Sequence, residues 1–383
     1  MNIVIFTYSI SRKAGGVFDA VRELFTNSAF KVCNLKILSY KDEYTNYDAK
    51  EWKGLSMKLF KPGIMLYSLL AKKTLLKEKA DILHMEALWR CPHRWMTDWK
   101  NQYKNKPIVC SPHGMLDPYI IQSQGKLKRI ISYLFFQKGL EAVDCYHALC
   151  QKELEDIRAY GLKQPIAIIP NGINLPDKTK IYIRKDKKLH LLYLGRLHRK
   201  KGVDLLLNAI SNIYHSNPDI ISDWHIDIVG WDHENCEAEL KKIVSINNLE
   251  NIVTFHGGLY GEEKLRMYAT SDAYILPSHG EGLPMSILEA WSWELPVIMT
   301  THCNIPEGFE AKAAIKIDDN ISSVEKGLIS LFIMNEKQRK EMGERGYKLV
   351  SENFTWDSSA RKMIHLYKWL LGKESKPDFV YYE

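Results

Sequence analysis

Short apolar, β-branched runs recur along this chain and alternate with stretches of helical periodicity. In the first half the runs fall at 2–7, 33–39, 81–84, 107–110, 144–149 and 166–169. In the second half they fall at 189–194, 225–229, 252–255, 273–276, 296–299 and 314–317. Near-continuous apolar runs of four to seven residues suit strands buried on both faces, and helices between them predict parallel α/β layers. The alternation breaks in a turn-forming stretch, Pro170-Asn-Gly-Ile-Asn174 through Lys180. A chain of 383 residues is also too long for one ordinary core. The pattern therefore predicts two Rossmann-like domains facing a cleft, residues 1–175 and 176–357. A last helical pattern, 358–371, carries Met363, Ile364, Tyr367, Trp369 and Leu370. The Tyr- and Lys-rich stretch from Tyr40 to Trp52 reads as an irregular excursion.

Composition narrows the class. At 45% hydrophobic and 26% charged the chain reads as soluble and globular, and no apolar run reaches the roughly 18 residues a bilayer requires. The opening Asn2-Ile-Val-Ile-Phe-Thr7 reads as a buried strand rather than a signal peptide. Seven scattered cysteines with no Cys-x2-Cys spacing suit reduced thiols and a cytoplasmic setting. Charge is uneven: residues 1–180 carry 28 Lys and Arg against 17 Asp and Glu, while the remainder carries 25 against 29. A basic first half suits a phosphate-bearing partner or an anionic membrane surface. Nucleic acid is not expected, because no helix-turn-helix, zinc-finger or RNA-recognition signature occurs. Two stretches, 52–79 and Lys126–Phe136, combine apolar positions with lysines. Either can lie on an anionic membrane as a peripheral contact, or pack as an ordinary helix with its apolar face inward.

The segment richest in chemistry is Ser278-His-Gly-Glu281-Gly-Leu-Pro-Met-Ser-Ile-Leu-Glu289. Two carboxylates bracket a Gly-rich turn that runs into a helix expected to begin near Pro284, a residue favoured in a first helical turn. Glycines admit backbone amides close to a ligand, and a helix N-terminus attracts anions. Ionised carboxylates accept strongly from hydroxyls. A nucleotide sugar, anionic and rich in hydroxyls, fits that combination. A second glycine turn, Gly15-Gly16, follows the first strand and precedes a helix, without a Gly-x-Gly-x-x-Gly fingerprint. Neither an Asp-x-Asp pair nor a zinc-spaced cluster is present, so no metal site and no cofactor is expected from the sequence.

These segments together resemble retaining glycosyltransferases of the GT-B fold, in particular family 4 (group 1). The Glu281-x7-Glu289 signature carries the resemblance. So does Gly195-Arg196 followed by Lys201-Gly202, and so do the Gly15-Gly16 turn and Ser111-Pro-His113-Gly114. The turn Pro170-Asn-Gly172-Ile-Asn174 is similar to the family's interdomain hinge, with Asn where Asp is usual. The resemblance implies a C-terminal helix (358–383) crossing back to the first, acceptor-side domain, and a nucleotide-sugar-binding second domain. Arg196 and Lys201 would then stabilise the departing nucleoside diphosphate, whose charge grows in the transition state. Glu281 would hold the transferred sugar, Glu289 the ribose diol, and His113 the sugar from across the cleft. Gly15, Gly16, Gly280, Gly282, Leu283 and Pro284 would line the donor. Arg199 and Lys200 are left as a solvated basic loop. Asn304 and Glu307 stand where relatives have a Gly-rich donor segment that this chain lacks, and Asp117 is an acceptor-side candidate.

The activity implied is a metal-independent hexosyl transfer from a UDP- or GDP-sugar to a glycan hydroxyl. The acceptor expected is a lipid-linked precursor of a surface polysaccharide such as O-antigen, capsule or exopolysaccharide. Other GT-B activities (a sugar-nucleotide epimerase or a phosphorylase) and a catalytically silent nucleotide-sugar-binding subunit remain as alternatives.

Overall fold

The computed structural model describes residues 1–63, 67–89, 94–118, 121, 136–184 and 186–382. The chain divides into two compact units, Met1–Gly172 with Trp356–Glu383, and Ile173–Thr355.

The first unit holds β1 (Asn2–Ser9), β2 (Asn34–Tyr40), β3 (Ser56–Phe60), β4 (Ile82–Glu86), β5 (Ile108–Ser111), β6 (Cys145–Ala148) and β7 (Ile166–Ile168). They pair in parallel in the order β7-β6-β5-β4-β1-β2-β3, and the short strand Val380–Tyr381 adds antiparallel to β7. Period-2 alternation distributes the side chains to two cores. Ile3, Ile5, Ile37, Ile82 and Val109 pack on one face with the helices Gly16–Phe25 and Trp356–Leu370. Val4, Phe6, Leu38, Leu83 and Met85 pack on the other with Leu69–Lys77 and Arg94–Gln102.

The second unit holds β8 (Leu189–Leu194), β9 (Trp224–Val229), β10 (Val253–Gly257), β11 (Ala273–Leu276), β12 (Val297–Thr300) and β13 (Ala314–Ile317). All are parallel, in the order β10-β9-β8-β11-β12-β13. The order reverses direction between β8 and β11, and in the first sheet between β1 and β4. Open α/β sheets bind ligands beyond the carboxyl ends of strands at such switch points. The Arg196–Lys201 segment follows β8, and the Ser278–Pro284 segment follows β11.

Three details differ from the sequence reading. Ser56–Phe60 is a strand paired with β2, not part of a continuous amphipathic helix. Lys58 and Ser56 face solvent while Met57 and Leu59 are half-buried, as an edge strand requires. The 40–52 stretch forms two short helical turns, Thr45–Asp48 and Ala49–Trp52, pinned by the buried Trp52, whose indole N–H donates to the Ile10 carbonyl at 2.9 Å. Pro284 caps the helix Met285–Ser292 from an extended conformation rather than entering its first turn. The basic stretch Lys126–Phe136 lies outside the described residues except for Phe136, which is buried. Among the described residues no helix is long and apolar enough to cross a membrane.

Candidate active site

In the second unit, the loops after β8, β11 and β12 are tied to one another before any ligand is considered. The buried Tyr274 and Tyr193 hydroxyls donate to the carbonyls of Leu194 (3.0 Å) and Arg196 (2.8 Å), which fixes the backbone that carries Arg196. Its guanidinium is solvent-exposed, 5.9 Å from the Trp231 ring. The Lys200 carbonyl accepts from the His279 N–H and the Ser278 hydroxyl, both at 2.9 Å. Gly202 follows with φ +69°, and a Cβ there would lie 2.1 Å from the Pro277 carbonyl oxygen. Only glycine permits this approach, which delivers Lys201 beside the β11 loop.

Lys201 Nζ contacts both carboxylate oxygens of Glu281, at 2.7 and 2.9 Å. The two side chains are only 17% and 11% exposed, so the pair is largely desolvated and each charge compensates the other. Glu281 is held by its main chain as well. Its N–H donates to the His302 carbonyl at 2.9 Å, and the Asn304 amide donates to its carbonyl at 2.6 Å. Asn304, in the left-handed region at φ +56°, therefore braces Glu281, while Glu307 lies exposed in the short helix Glu307–Glu310. The helix Met285–Ser292 starts without a side-chain cap, leaving first-turn N–H groups for an anion. Leu283 is half-buried, Pro284 is buried, and Gly282 is exposed with open space where a Cβ would go. Gly280 packs its bare Cα toward the Lys200 side chain.

Glu289 projects from the same helix. Its Oε1 accepts from Lys264 Nζ at 2.6 Å and its Oε2 from the Tyr268 hydroxyl at 2.9 Å. Burial holds that phenol well above its ordinary pKa, so it stays a donor. Lys264 and Tyr268, on the helix Gly261–Thr270, were not singled out from the sequence. No local pattern joins them to a carboxylate 21 to 25 positions away; only the fold does.

In the first unit, Gly15 and Gly16 are exposed at the start of the helix Gly16–Phe25. Gly15 sits at φ +58° with no neighbour where a Cβ would stand. His113 follows β5 in the left-handed region, φ +53°, and Gly114 continues at φ +75°. Two buried carboxylates hold this turn. Glu86 Oε2 meets His113 Nε2 at 2.5 Å, and Glu153 accepts from the N–H groups of Gly114 (2.6 Å) and Leu149 (2.7 Å). Burial alone would raise the Glu86 carboxyl, but His84 and His113 beside it bring it down to about 2. Burial disfavours a charged His113, yet its bond to Glu86 prevails and raises its pKa. Burial raises Glu153 against the pull of its two backbone donors. Asp117 closes the same turn, its N–H donating to the Gly114 carbonyl at 3.1 Å.

One juxtaposition invisible to sequence spacing is His198, His233 and Glu234, whose ligand atoms lie within 4.8 Å of one another. His198 Nδ1 accepts from the Lys200 N–H at 3.1 Å, which puts its proton on Nε2, facing Glu234 at 3.5 Å. A metal at Nε2 needs the opposite tautomer, so this arrangement favours a long His198–Glu234 ion-pair contact over a ligand set.

Two α/β units, each built on a mainly parallel sheet with a switch point, match the GT-B architecture of glycosyltransferases. The family model "Glycosyl transferases group 1" matches residues 176–349, and "Glycosyltransferase Family 4" matches residues 40–176. The chain belongs to this glycosyltransferase family. It is 24% identical over 211 residues to the D-inositol 3-phosphate glycosyltransferase of Arthrobacter sp. (strain FB24), a match covering 53% of this chain and 49% of that relative. The chain thus spans about half the length of that relative. Sucrose-phosphate synthase from Thermosynechococcus elongatus shares the fold with a TM-score of 0.70 at 18% identity, covering 98% of this chain and all of that one. Anabaena HepE, solved in complex with UDP and glucose, does so with a TM-score of 0.71 at 14% identity, covering 96% and 99%.

Proposed function

We propose that this protein transfers a hexose or deoxyhexose, with retention of anomeric configuration and without a metal, from a UDP- or GDP-sugar to a glycan hydroxyl. The observation that carries the reading is the Lys201–Glu281 pair, seated between the β8 and β11 loops in front of an uncapped helix N-terminus. A diphosphate arriving at the helix N-terminus adds negative charge beside Lys201 and Arg196. That charge grows as the glycosidic bond breaks, so the cations favour the transition state over the ground state. Glu281 is freed to accept from sugar hydroxyls as Lys201 turns to phosphate, and Glu289, aimed by Lys264 and Tyr268, accepts from the ribose diol. His113 binds the transferred sugar. The acceptor hydroxyl attacks from the side the diphosphate leaves and passes its proton to a donor phosphate oxygen. UDP in the complex of the similarly folded HepE supports a uridine donor. The excess of Lys and Arg in residues 1–180 supports an anionic acceptor, such as a lipid-diphosphate-linked surface polysaccharide precursor, and work at the inner face of an anionic membrane.

The test is a panel of nucleotide sugars offered with a polyprenyl-linked glycan acceptor, with the product's anomeric configuration read by NMR. Transfer with retention, abolished in Lys201→Ala and Glu281→Ala, supports the reading. Near-normal transfer by both variants, or an inverted product, overturns it. Flotation with anionic vesicles checks the membrane contact, and an absence of salt-sensitive binding rejects it.

A further inference from the structure

Behind His113 the first unit buries a chain of polar groups whose proton positions the geometry determines. His147 Nε2 is 2.8 Å from the Ile169 carbonyl oxygen, which can only accept, so that nitrogen carries the proton. Burial lowers His147 to about 4 and lowers His84 as well, so both rings are neutral. His147 Nδ1 is then an acceptor and takes the Ser111 hydroxyl proton at 2.8 Å. Ser111 Oγ in turn accepts from His84 Nε2 at 2.7 Å, and His84 Nδ1 accepts from the hydroxyl of Tyr367 on the helix Trp356–Leu370. The same His84 Nε2–H faces Glu86 Oε1 at 3.3 Å. Every donor in this chain is committed, and none supplies a cation.

Glu86 is 1% exposed and ionised, and a buried carboxylate needs a positive partner. The titratable groups packed around the His113 turn are His84 and Glu86 on β4, Cys110 on β5, Asp117 in the turn itself, His147 on β6, Glu153 on the helix Gln151–Ala159, and Tyr367. Among the described residues, His113 is the member of this group that meets the carboxylate at hydrogen-bond distance, 2.5 Å, whereas His84 faces it at 3.3 Å with its Nε2–H directed at Ser111. The Nε2 of His113 is spent on Glu86, which leaves Nδ1 as the nitrogen for a ligand.

We propose that Glu86 is a positioning residue that holds His113 as a doubly protonated imidazolium, so that Nδ1–H donates to a hydroxyl of the transferred sugar. This rests on the reading of His113 as the sugar-binding histidine. It adds that His113 works as a cationic donor and not as a neutral acceptor. The charge also favours an electron-rich sugar oxygen at Nδ1. A sugar presenting a hydroxyl there is accepted, and its deoxy analogue leaves the donor unpaired and is disfavoured.

The test uses the full chain, nitrogen-15 labelled, with His113→Ala to assign the resonance. Imidazole nitrogen spectra across about pH 5 to 9 are expected to show His113 doubly protonated where ordinary histidines are neutral. In Glu86→Gln that titration moves to lower pH. In Glu86→Asp, which restores the charge, it returns part of the way. UDP-glucose hydrolysis, as the turnover probe, is expected to lose its alkaline limb at lower pH in Glu86→Gln, with kcat/KM down about tenfold or more above neutrality. If His113→Ala turns over normally, the sugar-binding reading of His113 fails. If His113→Ala is inactive while Glu86→Gln leaves both spectrum and pH limb unmoved, only the inference fails. A singly protonated His113 spectrum at neutral pH in the unmodified protein also overturns it. Should Glu86→Gln not fold, the Glu86→Asp titration and the unmodified spectrum still decide.

Discussion

Replacing Lys201 by Met removes one charge from a pair that the fold desolvates on both sides. The Glu281 carboxylate, 11% exposed, keeps its place because the His302 carbonyl and the Asn304 amide hold its backbone. At 11% exposure it finds little water in place of Lys201, so two charge-assisted hydrogen bonds, at 2.7 and 2.9 Å, are lost with little replacement. Such a loss costs about 2–3 kcal/mol. For a unit of this size that lowers its melting temperature by roughly 4–12 °C. Glu281→Gln leaves Lys201 partly compensated and 17% exposed, and costs less. The Lys201→Met/Glu281→Gln double variant should recover stability relative to Lys201→Met alone. Urea unfolding of the four proteins gives the coupling energy, expected at about 1.5–3 kcal/mol. Turnover should behave differently. Lys201→Met lowers kcat by about 10²–10³, and Glu281→Gln does not restore it, because the phosphate has lost its cation. A coupling energy below about 0.5 kcal/mol would show that the pair is not formed in solution, and the geometry of the site would have to be abandoned.

Four further outcomes are expected. Gly202→Ala places a Cβ 2.1 Å from the Pro277 carbonyl at φ +69° and should cost more than about 2 kcal/mol by chemical denaturation. Gly282→Ala meets open space and should leave stability unchanged while weakening UDP binding in calorimetry. Acidification should destabilise the first unit through His147. Its pKa is about 4 when folded against the ordinary 6.5, so only the unfolded chain takes the proton between those values, and about 3 kcal/mol is lost as pH falls from 6.5 to 4. His147→Asn should flatten that part of the pH–stability curve, and an unchanged slope would refute the assignment. Exhaustive chelation with EDTA should leave transfer unchanged, whereas a loss of activity recovered by a divalent cation would remove Arg196 and Lys201 from the role given to them.

The twelve strands expected from apolar runs appear within two residues of their expected bounds, because parallel strands buried on both faces print their burial directly into sequence. Ser56–Phe60 escaped because an edge strand with Lys58 exposed carries a weak alternation, and the lysines around it suggested an amphipathic surface helix. Glu281, Arg196 and Lys201 stood out in the sequence because glycines punctuate the segments that present them, and Glu289 because it follows Pro284 on the helix that the proline starts. Their partners did not. Lys264 and Tyr268 reach Glu289 from another helix, and Asn304 reaches the Glu281 backbone from the loop after β12. The relay from Tyr367 to Ile169 joins residues up to 283 positions apart, each of which alone reads as an ordinary core residue. Resemblance to a family draws attention to His113, while the carboxylate that sets its proton is visible only once β4 and β5 are in register, with Glu86 opposite Ser111.

The central claim is that the second unit holds a nucleoside diphosphate between Lys201, Glu289 and the N-terminus of Met285–Ser292. The measurement that tests it most directly is thermal stability of the intact protein against a panel of nucleoside diphosphates and their sugars, alongside Glu289→Ala and Lys201→Met. UDP or GDP should stabilise the unmodified protein by about 2.7 kcal/mol at a hundredfold excess over its Kd, with the effect lost or sharply reduced in both variants. No stabilisation by any member of the panel, or equal stabilisation in all three proteins, would contradict it.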